Sequence, residues 1–189
     1  MRRLLVGLAV LVVAGCGPTV SPAPTAAPSA TPGPTPQPSG AVRAEAVDGP
    51  FRLVFELAKD TWRAGEPIDG RASLEITAGG VELVGSGSGL VLFGFRELDG
   101  RRQMGPGATA DCKVYRLDAG RPLATGITQS GGFAGEDPDA AFYRAFFADP
   151  LVRLPAGRWE IQAFAFYAVG ACGNPEDTLR APLTVTVAP

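Results

Sequence analysis

Beyond residue 41, apolar and polar positions alternate with a period of two along much of the chain. Phe51, Leu53, Phe55 and Leu57 alternate with Arg52, Val54 and Glu56, the spacing of a strand with one buried face. Ile68, Gly70, Ala72, Leu74 and Ile76 mark one face of a second strand. Ala78-Gly79-Gly80 then turns the chain into a third over residues 81–84. Segments 90–98 and 101–104 flank Asp99-Gly100, a two-residue hairpin signal. Residues 112–117 read as another strand. In residues 158–167, Trp159, Ile161, Ala163 and Ala165 face one way, and Glu160, Gln162, Phe164 and Phe166 the other. Leu183, Val185 and Val187 close the chain. Short strands punctuated by glycine turns predict an all-β fold, an antiparallel β-sandwich over residues 41–189.

One segment departs from this period. Asp137-Pro138-Asp139 followed by residues 140–147 has an N-cap, a proline at the first helical position and one or two helical turns. Phe142 and Phe146, like Tyr143 and Phe147, stand four residues apart. They are expected to plug one open edge or end of the sandwich.

The N-terminus has another texture. Met1-Arg2-Arg3 is basic, and residues 4–13 form a mostly apolar run broken by Gly7. The run is too short to span a bilayer, and fits the apolar region of a signal peptide over residues 1–15. It ends in Val13-Ala14-Gly15-Cys16. These residues resemble the bacterial lipobox, with valine where leucine is preferred. The resemblance implies that Cys16 is lipidated and becomes the mature N-terminus. Each buried methylene contributes about 0.8 kcal/mol, so several acyl chains on one residue hold a protein to a membrane. The expected location is the cell membrane, lipid-anchored and facing the extracytoplasmic side.

Residues 17–40 are almost wholly Pro, Ala, Ser, Thr and Gly, with eight prolines between Pro18 and Pro38. So many prolines forbid a helix or a central strand, and there is almost nothing to bury. A disordered tether is expected from Cys16 to residue 40, reaching roughly 75 Å at about 3.1 Å per residue when extended.

Composition narrows the chemistry. The 189 residues contain no histidine, which removes Ser-His-Asp triads, Cys-His dyads and histidine-bearing zinc sites. Three cysteines are too few for a four-cysteine zinc site. The net charge is -2, and without residues 1–15 the balance is more acidic still. Such a surface does not attract nucleic acid.

Two turns carry a second resemblance. Trp62-Arg63-Ala64-Gly65-Glu66-Pro67-Ile68 and Leu154-Pro155-Ala156-Gly157-Arg158-Trp159-Glu160-Ile161 resemble strand-leading turns of bacterial immunoglobulin-like modules, including macroglobulin-type domains. In each, proline and glycine fix a corner and an aromatic enters the core. The resemblance implies an immunoglobulin-like sandwich. It carries no single function, because such modules serve adhesion, spacing, inhibition and ligand binding alike. Residues 120–147 are longer than a usual connection between strands of that fold.

Other segments invite chemical readings and support them weakly. Gly85-Ser86-Gly87-Ser88-Gly89 has glycine where a nucleophile elbow needs serine, and leucine follows where a dinucleotide loop needs glycine. It reads as a flexible or bulged strand connection. Glu136, Asp137 and Asp139 lack the alternation of a calcium loop. Arg101 and Arg102 read as a solvated hairpin edge. No catalytic, cofactor or metal residues are assigned.

With Cys16 committed to lipid, Cys112 and Cys172 form an even pair in an exported domain, and a disulfide between them is expected. Cys112 opens a strand segment expected to be central, and Cys172 lies in a glycine-flanked turn. The leading functional expectation is a non-catalytic, lipid-anchored binding module of the cell envelope, with a protein or glycan partner. A surface-presented protease inhibitor, using exposed residues 125–136, is the first alternative. A hydrolase working through paired carboxylates alone is the second.

Overall fold

The structure is a computed structural model and describes residues 40–169 and 177–189. Residues 1–15, expected to be a signal peptide, Cys16, the proline-rich segment to residue 39 and Cys172 lie outside the described residues.

Alternation builds two sheets packed face to face. The first has the order β1-β2-β4-β9 and is antiparallel throughout. Its strands are β1 (Val42–Asp48), β2 (Phe51–Leu57), β4 (Gly70–Ile76) and β9 (Leu123–Gly126). The second contains β3 (Thr61–Arg63), β5 (Gly80–Gly85), β6 (Val91–Glu97), β7 (Gln103–Met104), β8 (Lys113–Asp118), β10 (Gly157–Val169) and β11 (Asp177–Ala188). Its order is β3-β11-β10-β5-β8, with β6 also on β10 and β7 on β6.

The 13-residue β10 is the spine of the second sheet. One edge pairs with β11 from Gly157 to Tyr167. The other pairs with β6 from Trp159 to Ala165 and then with β5 at Ala168 and Val169. Trp159, Ile161, Ala163, Ala165 and Tyr167 are all fully buried toward the first sheet. There they share a core with Leu53, Phe55 and Leu57 of β2 and Ala72, Leu74 and Ile76 of β4. The rings of Phe55 and Phe93 meet across the sheets at 5.7 Å. Each large apolar side chain buried in this way contributes roughly 1.5–3 kcal/mol.

Both motif-bearing turns lead into strands. Residues 154–161 deliver the chain into β10, the penultimate strand. Gly157 has φ 146, a backbone that side-chain-bearing residues rarely adopt, and Trp159 Nε1 donates to Pro155 O at 3.0 Å. Residues 62–68 run from β3 toward β4, with Trp62 buried under the Lys59 ammonium at 4.6 Å.

The helix α1 (Ala140–Ala148) forms where the pattern breaks. The N-cap is Asp139 and not the expected Asp137, so Pro138 lies before the first helical turn; Asp137 instead braces the entry, its Oδ1 accepting the Asp139 N–H at 2.7 Å and its carbonyl accepting the Ala140 N–H at 2.9 Å. Tyr143 and Phe146 are buried. Phe146 meets Phe95 at 5.3 Å and Phe142 meets Trp159 at 6.5 Å, so the helix closes one end of the sandwich as its spacing predicted.

Several details differ from the pattern-based expectations. The period of two does not predict β1, because its inward residues Val42, Ala44 and Ala46 are mostly small. β3 pairs with β11 in parallel, the one parallel ladder among the described strands. The Glu97 N–H bonds Arg102 O at 2.9 Å, so four residues (98–101) close the β6–β7 hairpin in place of the expected two. Cys112 precedes β8, which ends the sheet order and is not central; its side chain is exposed. The long 120–147 stretch contains β9, which completes the first sheet against β4.

Candidate functional site

The two outer faces of the sandwich are chemically unlike. On the four-stranded sheet the outward positions form cross-strand ion pairs: Arg52 with Glu75 and Glu45, and Arg71 with Glu56 at 3.0 Å. Glu75 stands directly opposite Arg52, and Glu56 opposite Arg71. Such a face is solvated, and its exposed pairs add little stability, about 0–1 kcal/mol each.

The outer face of the seven-stranded sheet adds aromatic and amide groups to an ion pair of its own. Outward residues of β10 are Glu160, Gln162, Phe164 and Phe166, opposite Arg96, Gly94 and Leu92 of β6 in register. Arg96 grips Glu160 through three contacts of 3.1–3.2 Å. Phe164 and Phe166 stack at 5.5 Å with 9° between ring planes, and the Arg180 guanidinium lies 5.5 Å from the Phe164 ring. Phe164 is buried and Phe166 half-buried. A Cβ on Gly94 would come within 2.9 Å of the Phe164 ring and 3.3 Å of Pro106 Cδ. The glycine is therefore required by the close approach of its neighbours.

Around Gly94 is a notch of about 120 Å³, whose lining includes Arg96, Gln103, Pro106, Glu160, Gln162 and Phe164. That is below the roughly 300 Å³ where ordinary ligand pockets begin. Among the described residues the carboxamides of Gln103 and Gln162 have no hydrogen-bond partner. Each offers one acceptor and two donors.

The sequence-derived candidates lie elsewhere. In the glycine-serine segment, residues 85–90 stand opposite only residues 166–167 of β10, so the segment is a large bulge between β5 and β6. It is zipped to residues 109–111: Gly87 N–H donates to Asp111 Oδ1 at 2.9 Å and Ser88 N–H to Thr109 Oγ1 at 3.2 Å. The Thr109 hydroxyl and the Gly87 N–H hold the Asp111 carboxyl below the usual range. Arg101 and Arg102 are not simply a solvated edge, since both contact Asp139, at 2.7 and 3.5 Å. Asp139 and Asp137 are thus engaged inside the protein. Among the described residues no three of Asp, Glu and Cys cluster as metal ligands.

Residues 125–136 begin within β9 and then cross over α1. The Gln129 amide lies 3.2, 2.8 and 2.9 Å from the carbonyl oxygens of Phe146, Asp149 and Leu151. Phe133 stacks on Phe147 at 6.2 Å. The segment's first half is tied to the helix, while residues 131–136 are exposed. A wider cleft of about 660 Å³ beside Val42 and Leu57 places Glu56 and Asp69 on its wall. Glu56 is engaged there by Arg71.

The aromatic-amide notch was not singled out by sequence reasoning. The outward set of β10 was legible, but its union with Gly94 and Arg96 depends on cross-strand register. No protein-family model matches the chain, and no curated protein matches it.

Proposed function

We propose that the protein is a lipid-anchored, non-catalytic binding module of the bacterial cell envelope, working at the extracytoplasmic side of the membrane. The basic, apolar and Ala14-Gly15-Cys16 segments support the anchor, and residues 17–40 supply the tether. The observation that carries the binding reading is the difference between the outer faces: one carries cross-strand ion pairs, and the other adds to its Arg96–Glu160 pair stacked aromatics and two carboxamides without a hydrogen-bond partner among the described residues. A rigid sheet holding such groups suits recognition.

The test uses the full chain expressed in a bacterium with the lipoprotein-processing machinery. Mass analysis of the mature N-terminal peptide should show an acylated Cys16, and Cys16→Ser should move the protein out of the membrane fraction. Chemical cross-linking in intact cells should trap an envelope component through the face bearing Phe166. An unacylated Cys16 overturns the anchor; the absence of any cross-linked component overturns the binding reading.

A further inference from the structure

We propose that the free edge of β9 pairs antiparallel with β9 of a second copy of this chain, about a two-fold axis through Thr125. The inference goes beyond the binding reading above and does not depend on it.

The β9 edge is built unlike the others. A sheet edge exposes main-chain donors and acceptors that can recruit another strand, and charge or shortness normally blunts it. Among the described strands, β1 carries Arg43, Glu45 and Asp48, and β8 carries Lys113, Arg116 and Asp118. The edge strands β3 and β7 are three and two residues long. β9 ends the first sheet, and from Pro122 to Gly135 the chain has no charged residue.

The main chain sets the phase of this edge. Ile127 N–H donates to Gly70 O at 2.9 Å, and Thr125 and Leu123 follow in the same phase opposite Ala72 and Leu74. The N–H and C=O groups of Ala124 and Gly126 therefore point away from β4. On that side Gly126 O takes a 3.4 Å contact from the neighbouring Thr125 hydroxyl. A Cβ on Gly126 would meet nothing within 4 Å, and its φ is not one that requires glycine. Glycine inside a strand costs stability, and it often marks a place where another backbone comes close.

The side chains select a second copy as the occupant. Leu123-Ala124-Thr125-Gly126-Ile127 reads apolar, small, threonine, small, apolar in both directions. A two-fold axis sets residue i against j and j against i, so a segment symmetric about its centre is complementary to itself. Pairing centred on Thr125 sets Ala124 opposite Gly126 of the second copy, and each such pair exchanges two main-chain hydrogen bonds. On the inner face it sets Leu123 against Ile127 of the second copy, and Thr125 against its own counterpart. Leu123 and Ile127 pack on the core yet are only half-buried, so each covers what the other leaves exposed. A centre at Ala124 would instead set Ile127 against Arg121. No residue of the paired segments is charged, so no like charges meet across the axis.

The experiment uses the full chain with detergent micelles in large excess over protein. Thr125→Cys, Ala124→Cys and Gly126→Cys are made singly and oxidised with copper phenanthroline. Directly opposed residues of a non-hydrogen-bonded pair have Cα atoms about 4.5 Å apart, within reach of a disulfide. Positions 124 and 126 stand diagonally from their own counterparts, about 7–8 Å away and beyond that reach. The expected result is a linked dimer from Thr125→Cys alone, with peptide mapping joining position 125 to itself. Sedimentation of the parent should show a monomer–dimer equilibrium. Ala124→Pro removes an outward N–H without touching the bonds to β4, and should weaken that equilibrium about tenfold. Its circular dichroism should match the parent, and the cysteine pattern decides the matter even if this variant does not fold. Equal linking at all three positions, linking of position 125 only to another site or another protein, or a parent that is monomeric at every concentration overturns the inference. A dimer unchanged in a folded Ala124→Pro overturns it as well.

Discussion

Arg101 Nε donates to Asp139 Oδ2 at 2.7 Å, joining the tip of the β6–β7 hairpin to the start of α1 across 38 residues of sequence. Arg102 adds a second guanidinium 3.5 Å from the same carboxylate and lays its own plane over Phe142 at 4.6 Å. Tyr143 reinforces the junction, its hydroxyl accepting the Gln103 N–H at 3.3 Å. A residue at the helix start thus fixes the helix to the sheet whose end it closes, and the acidic charge there also suits the helix dipole.

The Arg101 hydrogen bond, aided by the charges of Arg101 and Arg102, holds the Asp139 carboxyl below its ordinary value of 3.8. A depressed carboxyl stabilises the fold fully above the unfolded value and loses that contribution as pH falls through the folded one. Urea unfolding at a series of pH values is therefore expected to show Asp139→Asn less stable than the parent at pH 7. The gap should narrow steadily below about pH 4. A gap that is constant from pH 7 to pH 2 would show that the pair contributes nothing through charge.

Gln129→Ala should loosen the far end of the same helix. Its amide faces the carbonyl oxygens of Phe146, Asp149 and Leu151, and removal leaves helix-terminal acceptors without their donor. A loss of about 1–2 kcal/mol in urea unfolding is expected. Hydrogen exchange should rise in residues 145–149 before it rises in β10. Gln129→Glu should cost more, since it sets a carboxylate against three carbonyl oxygens.

Gly157→Ala addresses the turn into the spine strand. At φ 146 a Cβ is strained, and it would sit 3.5 Å from the Trp159 Nε1 that caps Pro155 O. The expected cost is about 1–3 kcal/mol. Near-ultraviolet circular dichroism should report a changed indole environment. An unaltered melt would mean that the turn tolerates another backbone conformation.

Export to an oxidising compartment is expected to join Cys112 and Cys172. A closed loop of about 60 residues corresponds to roughly 4 kcal/mol in the chain-entropy account. Cys112 stands at the exposed start of the outer strand β8, so the bond would secure an edge. Alkylation followed by intact-mass analysis is the check: two modified thiols before reduction would show that no bond forms.

Much of the sandwich is legible in the sequence because a strand sends successive side chains to opposite faces, so burial leaves a period of two. This exposed β2, β4, β10 and β11 at once, and the break in that period exposed α1, although the helix is capped two residues later than expected, at Asp139. The absence of histidine and the order of residues 1–16 are likewise matters of composition and order. Tertiary structure alone decided what sequence-distant strands do to one another. The three residues of β3 are a strand only because β11 lies beside them in parallel. β9 is half-exposed and weakly patterned, and gains its partner from β4. The bulge at residues 85–90 is defined by the two residues of β10 opposite it. Asp139 meets Arg101, Gln162 meets Gly94 and Glu160 meets Arg96 through pairings between distant segments. Periodicity records which side of a strand faces inward, whereas a site on the outer face is made by register, and register belongs to the assembled sheet.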